Sequence, residues 1–302
     1  IGTSAVTMPD GVGVIDLMMG VPLDDRSQWF RTYEHLLKDE ESKGSIRHGA
    51  GYMYKNPPDV DTAGFDVVAI EEMDRFGVER GMVPVTFDEP VGRGLVEQHP
   101  DRFFGSWHVD PNQGMHGVLL LDKAVRELGV VAATAFPAGY SPQVPIDDPK
   151  MYPFYAKCVE LDIPICVNAG VPGPRFPLDC QRVERLDTVC YDFPDLRLVT
   201  RHGCEPWADL AVKLLLKWPN LYYSTSAFAP RYYPEAIVDY ANTRGADKVM
   251  YAGYFPSGLS LERIFTEMPQ VPFRDQVWPR FLRENAIRVF KLEARSGTEY
   301  DK

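Results

Sequence analysis

Short apolar runs alternate with longer amphipathic stretches along most of the chain. Eight runs read as strands: Gly11–Met18, Glu79–Val85, Arg102–His108, Val130–Phe136, Ile163–Asn168, Leu196–His202, Leu221–Ser226 and Lys248–Gly253. Between them apolar residues recur at helical spacing. This predicts helices at Phe65–Phe76, Gly117–Leu128, Asp148–Leu161, Cys180–Cys190, Trp207–Trp218, Pro234–Arg244, Ser260–Glu267 and Gln276–Leu292. Gly77, Gly129 and Gly245 follow three of them and Pro219 stops a fourth, as helix ends require. Strands that are almost continuously apolar, each followed by a helix, describe a parallel sheet covered on both faces. Eight such units in 302 residues predict an α/β fold, a (β/α)8 TIM barrel forming one domain over residues 1–302. An open doubly wound sheet is the alternative, but neither GxGxxG nor GxxxxGK[ST] is present.

Residues 21–62 break the alternation. They are polar, carry the charge run Lys38–Lys43, and include Tyr52, Tyr54 and the pair Pro57–Pro58. The stretch reads as an insertion after strand 1, helical over Ser27–Lys38, that folds over the barrel mouth as a substrate lid or a surface excursion.

Composition is that of an ordinary globular protein, 45% hydrophobic and 25% charged. The formal charge of −11 argues against a nucleic-acid or polybasic membrane surface, and no apolar run is long enough to span a bilayer. The five cysteines are scattered, without CxxC spacing, so neither a disulfide framework nor a structural zinc site is expected. The cytoplasm is the expected compartment.

In a TIM barrel the chemistry lies at the C-terminal ends of the strands. There, polar residues interrupt the apolar runs: Asp16 on strand 1, His108 on strand 3, Asn168 on strand 5, Arg201 and His202 with Glu205 after strand 6, Ser224 and Ser226 on strand 7, and Tyr254 after strand 8. His202 is the candidate general acid/base. Tyr254 and Asn168 are candidates to polarise a carbonyl, and His108 is a further catalytic candidate that could instead bond to the Asp110–Pro111 turn. Asp16, Met18, Arg201, Glu205 and Ser226 are expected to contact substrate. Arg201, Arg47, Arg175 and Arg231 are the candidates to grip a carboxylate. Cys204 is the one cysteine near the site, and His48 is expected to be solvated. No GxSxG or HExxH motif is present.

The order of several phrases resembles the amidohydrolase superfamily, in the branch of aminocarboxymuconate-semialdehyde decarboxylase. They are VIDLMMG at 14–20, EEMDRFGVERGMV at 71–83, HPDRFFGSWHVDP at 99–111, YPFYAKCVELDIPICVNAG at 152–170, PDLRLVTRHGCEPW at 194–207, WPNLYYSTS at 218–226, ADKVMYAGYFP at 246–256 and ENAIRVFKL at 284–292. The resemblance implies a TIM-barrel hydrolase or decarboxylase, commonly dimeric. It also implies metal ligands in an HxH pair on strand 1, a His on strand 5 and an Asp after strand 8. Here those positions hold Met18, Gly20, Asn168 and Tyr254, and only the strand-6 histidine, the acid/base of mononuclear members, is kept as His202. A catalytic zinc needs about three His, Asp, Glu or Cys ligands, so no metal cofactor is expected. The alternative is one divalent ion, such as zinc, rebuilt from His108, His202, Asp16 and Glu205. The leading expectation is therefore a metal-independent enzyme that hydrolyses or decarboxylates a small carbonyl or carboxylate compound, or adds and eliminates water. A non-catalytic binding or partner subunit and a metal-dependent hydrolase with a rearranged site are the alternatives.

Overall fold

The structure, a computed structural model, describes residues 8–9, 11–23, 32–43 and 52–292. Eight strands appear where the apolar runs predict them: β1 Val14–Asp16, β2 Val78–Pro84, β3 Phe103–His108, β4 Ala132–Ala135, β5 Ile165–Asn168, β6 Leu198–Arg201, β7 Leu221–Ser224 and β8 Val249–Met250. Each pairs in parallel with the next, in chain order, as in a (β/α)8 barrel. The helices are α1 Glu40–Lys43, α2 Phe65–Arg75, α3 Pro90–Gln98, α4 Met115–Leu128, α5 Tyr152–Glu160, α6 Arg185–Asp192, α7 Ala208–Lys217, α8 Glu235–Thr243, α9 Leu261–Glu267 and α10 Asn285–Phe290. A π-helical turn, Arg280–Glu284, leads into α10. No helix among the described residues is long and apolar enough to cross a membrane.

Helix α3 is the one barrel helix the apolar pattern misses. Gly92 and Gly94 thin its periodicity, and Glu89 starts it by accepting the amides of Val91 and Gly92.

Alternation along the strands sorts the core into two parts. Ile15, Met82, Phe104, Ala132, Cys166, Val199, Tyr222 and Met250 point inward and fill the barrel, and Ala286, Val289 and Phe290 of α10 plug its lower end. Their neighbours Val14, Val83, Phe103, Ala133, Ile165, Leu198, Leu221 and Val249 point outward, into the layer of helices. The barrel closes between β8 and β1 by other means than a ladder. Asp16 Oδ1 accepts the amides of Met18 and Gly253 at 2.9 and 2.8 Å, and the Gly20 amide donates to the Phe255 carbonyl at 2.8 Å.

Candidate active site

The inward rows carry on upward to a cavity of about 390 Å³ at the C-terminal end of the strands, a size suited to a small ligand. Above Phe104 the next inward residues are Ser106 and His108. Above Ala132 comes Thr134, above Cys166 comes Asn168, and above Val199 comes Arg201. All five line the cavity. The strand register sets His108 beside Thr134 and Asn168 beside Arg201, so these four form a polar arc over β3–β6. His108 Nδ1 lies 3.3 Å from Thr134 Oγ1. The ring is open to the cavity, yet desolvation by the surrounding walls, then the Arg201 charge, pushes the His108 pKa down to about 4.

Arg201 is half-buried. Its Nη2 donates to the Leu17 carbonyl at 3.4 Å, and its guanidinium also meets the Cys166 thiol. No carboxylate among the described residues forms an ion pair with it, and none lines the cavity. Burial pulls its pKa down.

His202 follows Arg201 on the strand, so alternation alone would aim it outward. The backbone reverses this. His202, Gly203 and Cys204 have φ of 65°, 84° and 59°, a run of left-handed residues that swings the imidazole to the cavity rim. Phe228 packs against Gly203, where a Cβ would lie 2.7 Å from its ring. Ser226 fixes the imidazole. Its Oγ accepts the His202 amide at 3.0 Å and lies 3.2 Å from Nδ1. Proton exchange with a ligand would then use Nε2. Tyr254 meets the ring edge-on, with centroids 5.9 Å apart. Burial pushes the Tyr254 pKa up to about 12, against the pull of Arg201, so the phenol keeps its proton.

The cavity thus brings together Met18, His108, Asn168, Arg201, His202 and Tyr254. Three other residues assigned to substrate stand elsewhere. Asp16 is fully buried below the mouth, occupied by two backbone amides and by the Tyr251 hydroxyl at 3.3 Å, and burial raises its pKa to about 6. Ser226 is fully buried and bonds His202. Glu205 is outside the lining, past the turn that aims His202. The thiol of Cys204 is buried and pushed up to about 12, which removes it as a nucleophile. Arg175 pairs with Asp39 and Glu41, and Arg231 pairs with Glu267 at 2.8 Å. Arg47 and His48 lie outside the described residues.

Sequence reading misses Ser106, Thr134 and Gln181 in the lining. Alternation from Phe104 and Ala132 would find the first two. Gln181 has no local signal. It bridges two loops, donating to the Gly170 carbonyl and accepting the Ala138 amide. The insertion also contributes wall, through Val21, Leu23, Tyr33, Met53 and Tyr54. Tyr54 donates to the Ala227 carbonyl at 2.9 Å and packs on Tyr254, 5.3 Å between centroids. The described part of the predicted helix Ser27–Lys38 contains the 3-10 turn Glu34–Leu36, and the rest lies outside the described residues.

The amidohydrolase family profile matches residues 38–292. The chain belongs to the amidohydrolase family. Over 126 residues this amidohydrolase is 31% identical to 2-keto-4-carboxy-3-hexenedioate hydratase of a Sphingobium species. That match covers 36% of this chain and spans only 37% of the relative's length. In fold it resembles a TIM-barrel protein of Bordetella bronchiseptica, with a TM-score of 0.72 and 19% identity over 94% of this chain and all of the other. It also resembles 5-carboxyvanillate decarboxylase of Sphingomonas paucimobilis, with a TM-score of 0.65 and 16% identity over 93% and 99% of the two chains.

The residues at the family's ligand positions do not suit a divalent ion. Met18 offers a thioether, Asn168 an amide and Tyr254 a protonated phenol, while the Ser257 hydroxyl fills the space a side chain at Gly20 would need. Among the described residues no three His, Cys, Asp or Glu side chains are grouped to hold a metal. Among the described lining residues the fixed cation is the Arg201 guanidinium.

Proposed function

We propose that this amidohydrolase is an enzyme of small carboxylates that works without a resident metal. Arg201 holds the substrate carboxylate and His202 moves a proton at a nearby carbon. One observation carries the reading: a half-buried guanidinium on the inward row, ion-paired with no carboxylate among the described residues, in a cavity whose described lining has no acid. A buried charge without a partner is unfavourable, and a carboxylate seated on the guanidinium fork supplies one.

Two reaction types fit best, addition or elimination of water and decarboxylation. Both place negative charge beside a carbonyl. Arg201, the Asn168 amide and the Tyr254 hydroxyl are the groups to stabilise it. In hydration, water gives its hydroxyl to one alkene carbon and its remaining proton to His202, which passes a proton on to the neighbouring carbon. In decarboxylation, carbon dioxide leaves and His202 protonates the carbon it left. Neither needs the hydroxide that a metal-bound water gives a hydrolase. The partial match to a hydratase supports the first type.

The test is turnover of a panel of small unsaturated and aromatic carboxylates in deuterated water, followed by NMR. Deuterium is expected at carbon in the product. Arg201→Met should lower kcat/KM by about 10²-fold or more. An unchanged kcat/KM in that variant overturns the assignment. Binding without turnover across the panel would point instead to a non-catalytic subunit.

A further inference from the structure

We propose that the cavity selects 2-oxo carboxylates, Arg201 taking the carboxylate and Asn168 donating to the adjacent oxo oxygen. The inference rests on the carboxylate reading of Arg201 and adds a second recognition point to it. Asn168 and Arg201 are paired residues in the β5–β6 ladder, both on the inward row, one strand spacing apart. In a 2-oxo acid the oxo oxygen sits on the carbon next to the carboxylate, which suits two donors placed side by side.

Asn168 supplies the independent observation. It is 7% exposed, and no group among the described residues bonds its side-chain amide. Lining the cavity with no protein partner among the described residues, this amide is placed to meet something the cavity receives. The other members of the arc differ. His108 and Thr134 lie within reach of each other, and Arg201 is the cation. The rest of the wall has apolar and soft patches, from Met18, Met82, Phe136 and Phe228. They suit the hydrocarbon end of the ligand.

Three ligands of one shape separate the points of recognition: 2-oxo-4-phenylbutanoate, 4-phenylbutanoate and 4-phenylbutan-2-one, titrated into the full chain by calorimetry. The oxo acid should bind about tenfold more tightly than the plain acid, the difference one hydrogen bond makes. The ketone should bind at least about a hundredfold more weakly than the oxo acid. In Asn168→Leu the two acids should come within about twofold of each other. Equal affinities for the two acids in the natural protein overturn the oxo site while leaving the carboxylate reading intact. A gap that persists in Asn168→Leu removes Asn168 from the role. A ketone that binds as tightly as both acids sinks the carboxylate reading itself, and the oxo site with it.

Discussion

His202 occupies a backbone position that L-residues avoid. A left-handed φ costs about 1–2 kcal/mol for a residue with a Cβ, and only Gly, Asn and Asp adopt it readily. The fold accepts that strain to swing an imidazole to the rim, and such strain gathers at functional sites. Replacing His202 by Asn keeps a residue that tolerates the turn while removing the acid/base. His202→Asn should therefore melt within about 1 kcal/mol of the natural protein, yet turn over about 10²-fold more slowly. Equal turnover would show that the proton moves through another group. At this scale the sequence is half legible. His108, Asn168 and Arg201 stand out because each breaks an apolar run at the same end of the barrel. Asp16 breaks one as well, but burial and two amide bonds give it to the framework. The turn that aims His202 leaves Gly203 as its trace in the sequence, at a position where the Phe228 ring stands in the way of a side chain.

Among the elements, closure of β1 against β8 hangs on the Asp16 carboxylate, and its acidity makes that closure depend on pH. Its pKa rises from 3.8 to about 6 on folding, through burial, so the folded chain holds the proton more tightly. This contribution to stability is fully present below about pH 4 and is lost as pH climbs through 6. His108 acts oppositely: its pKa falls from 6.5 to about 4, so stability drops as pH falls through that interval. The two slopes oppose each other between about pH 4 and 6. Asp16→Asn removes the first and keeps an oxygen for both backbone amides. Between pH 7 and pH 4.5 the variant should lose more stability than the natural protein, by on the order of 2 kcal/mol. Parallel melting curves would mean that Asp16 does not titrate in this range. The described part of the insertion is clasped by Arg175, which pairs with Asp39 and Glu41 and lies over the Tyr52 ring, 4.8 Å to its centroid. These contacts are exposed and screened by solvent, so the clasp is weak. Arg175→Ala should speed ligand entry and exit a few-fold with an unchanged Kd, readable by stopped-flow. Unchanged rates would show that the insertion does not gate the cavity. All eight strands were legible because inward and outward apolar faces leave continuous runs. The insertion was legible only as an interruption, since its contacts reach residues more than a hundred positions away.

Over the whole molecule the charge is −11, yet the proposed ligand is an anion. Long-range attraction therefore does not bring it in, and recognition falls to Arg201 once it is inside. The Debye length shrinks from about 30 Å at 0.01 M salt to about 8 Å at 0.15 M. Salt should thus relieve repulsion at a distance while leaving the enclosed guanidinium nearly unscreened. Association of an anionic ligand should accelerate about two- to threefold over that range, with dissociation little changed. A neutral ketone of the same shape should show no such dependence. If the anion instead associates more slowly as salt rises, a local positive field at the mouth outweighs the acidic surface, and Arg201 guides the ligand as well as holding it.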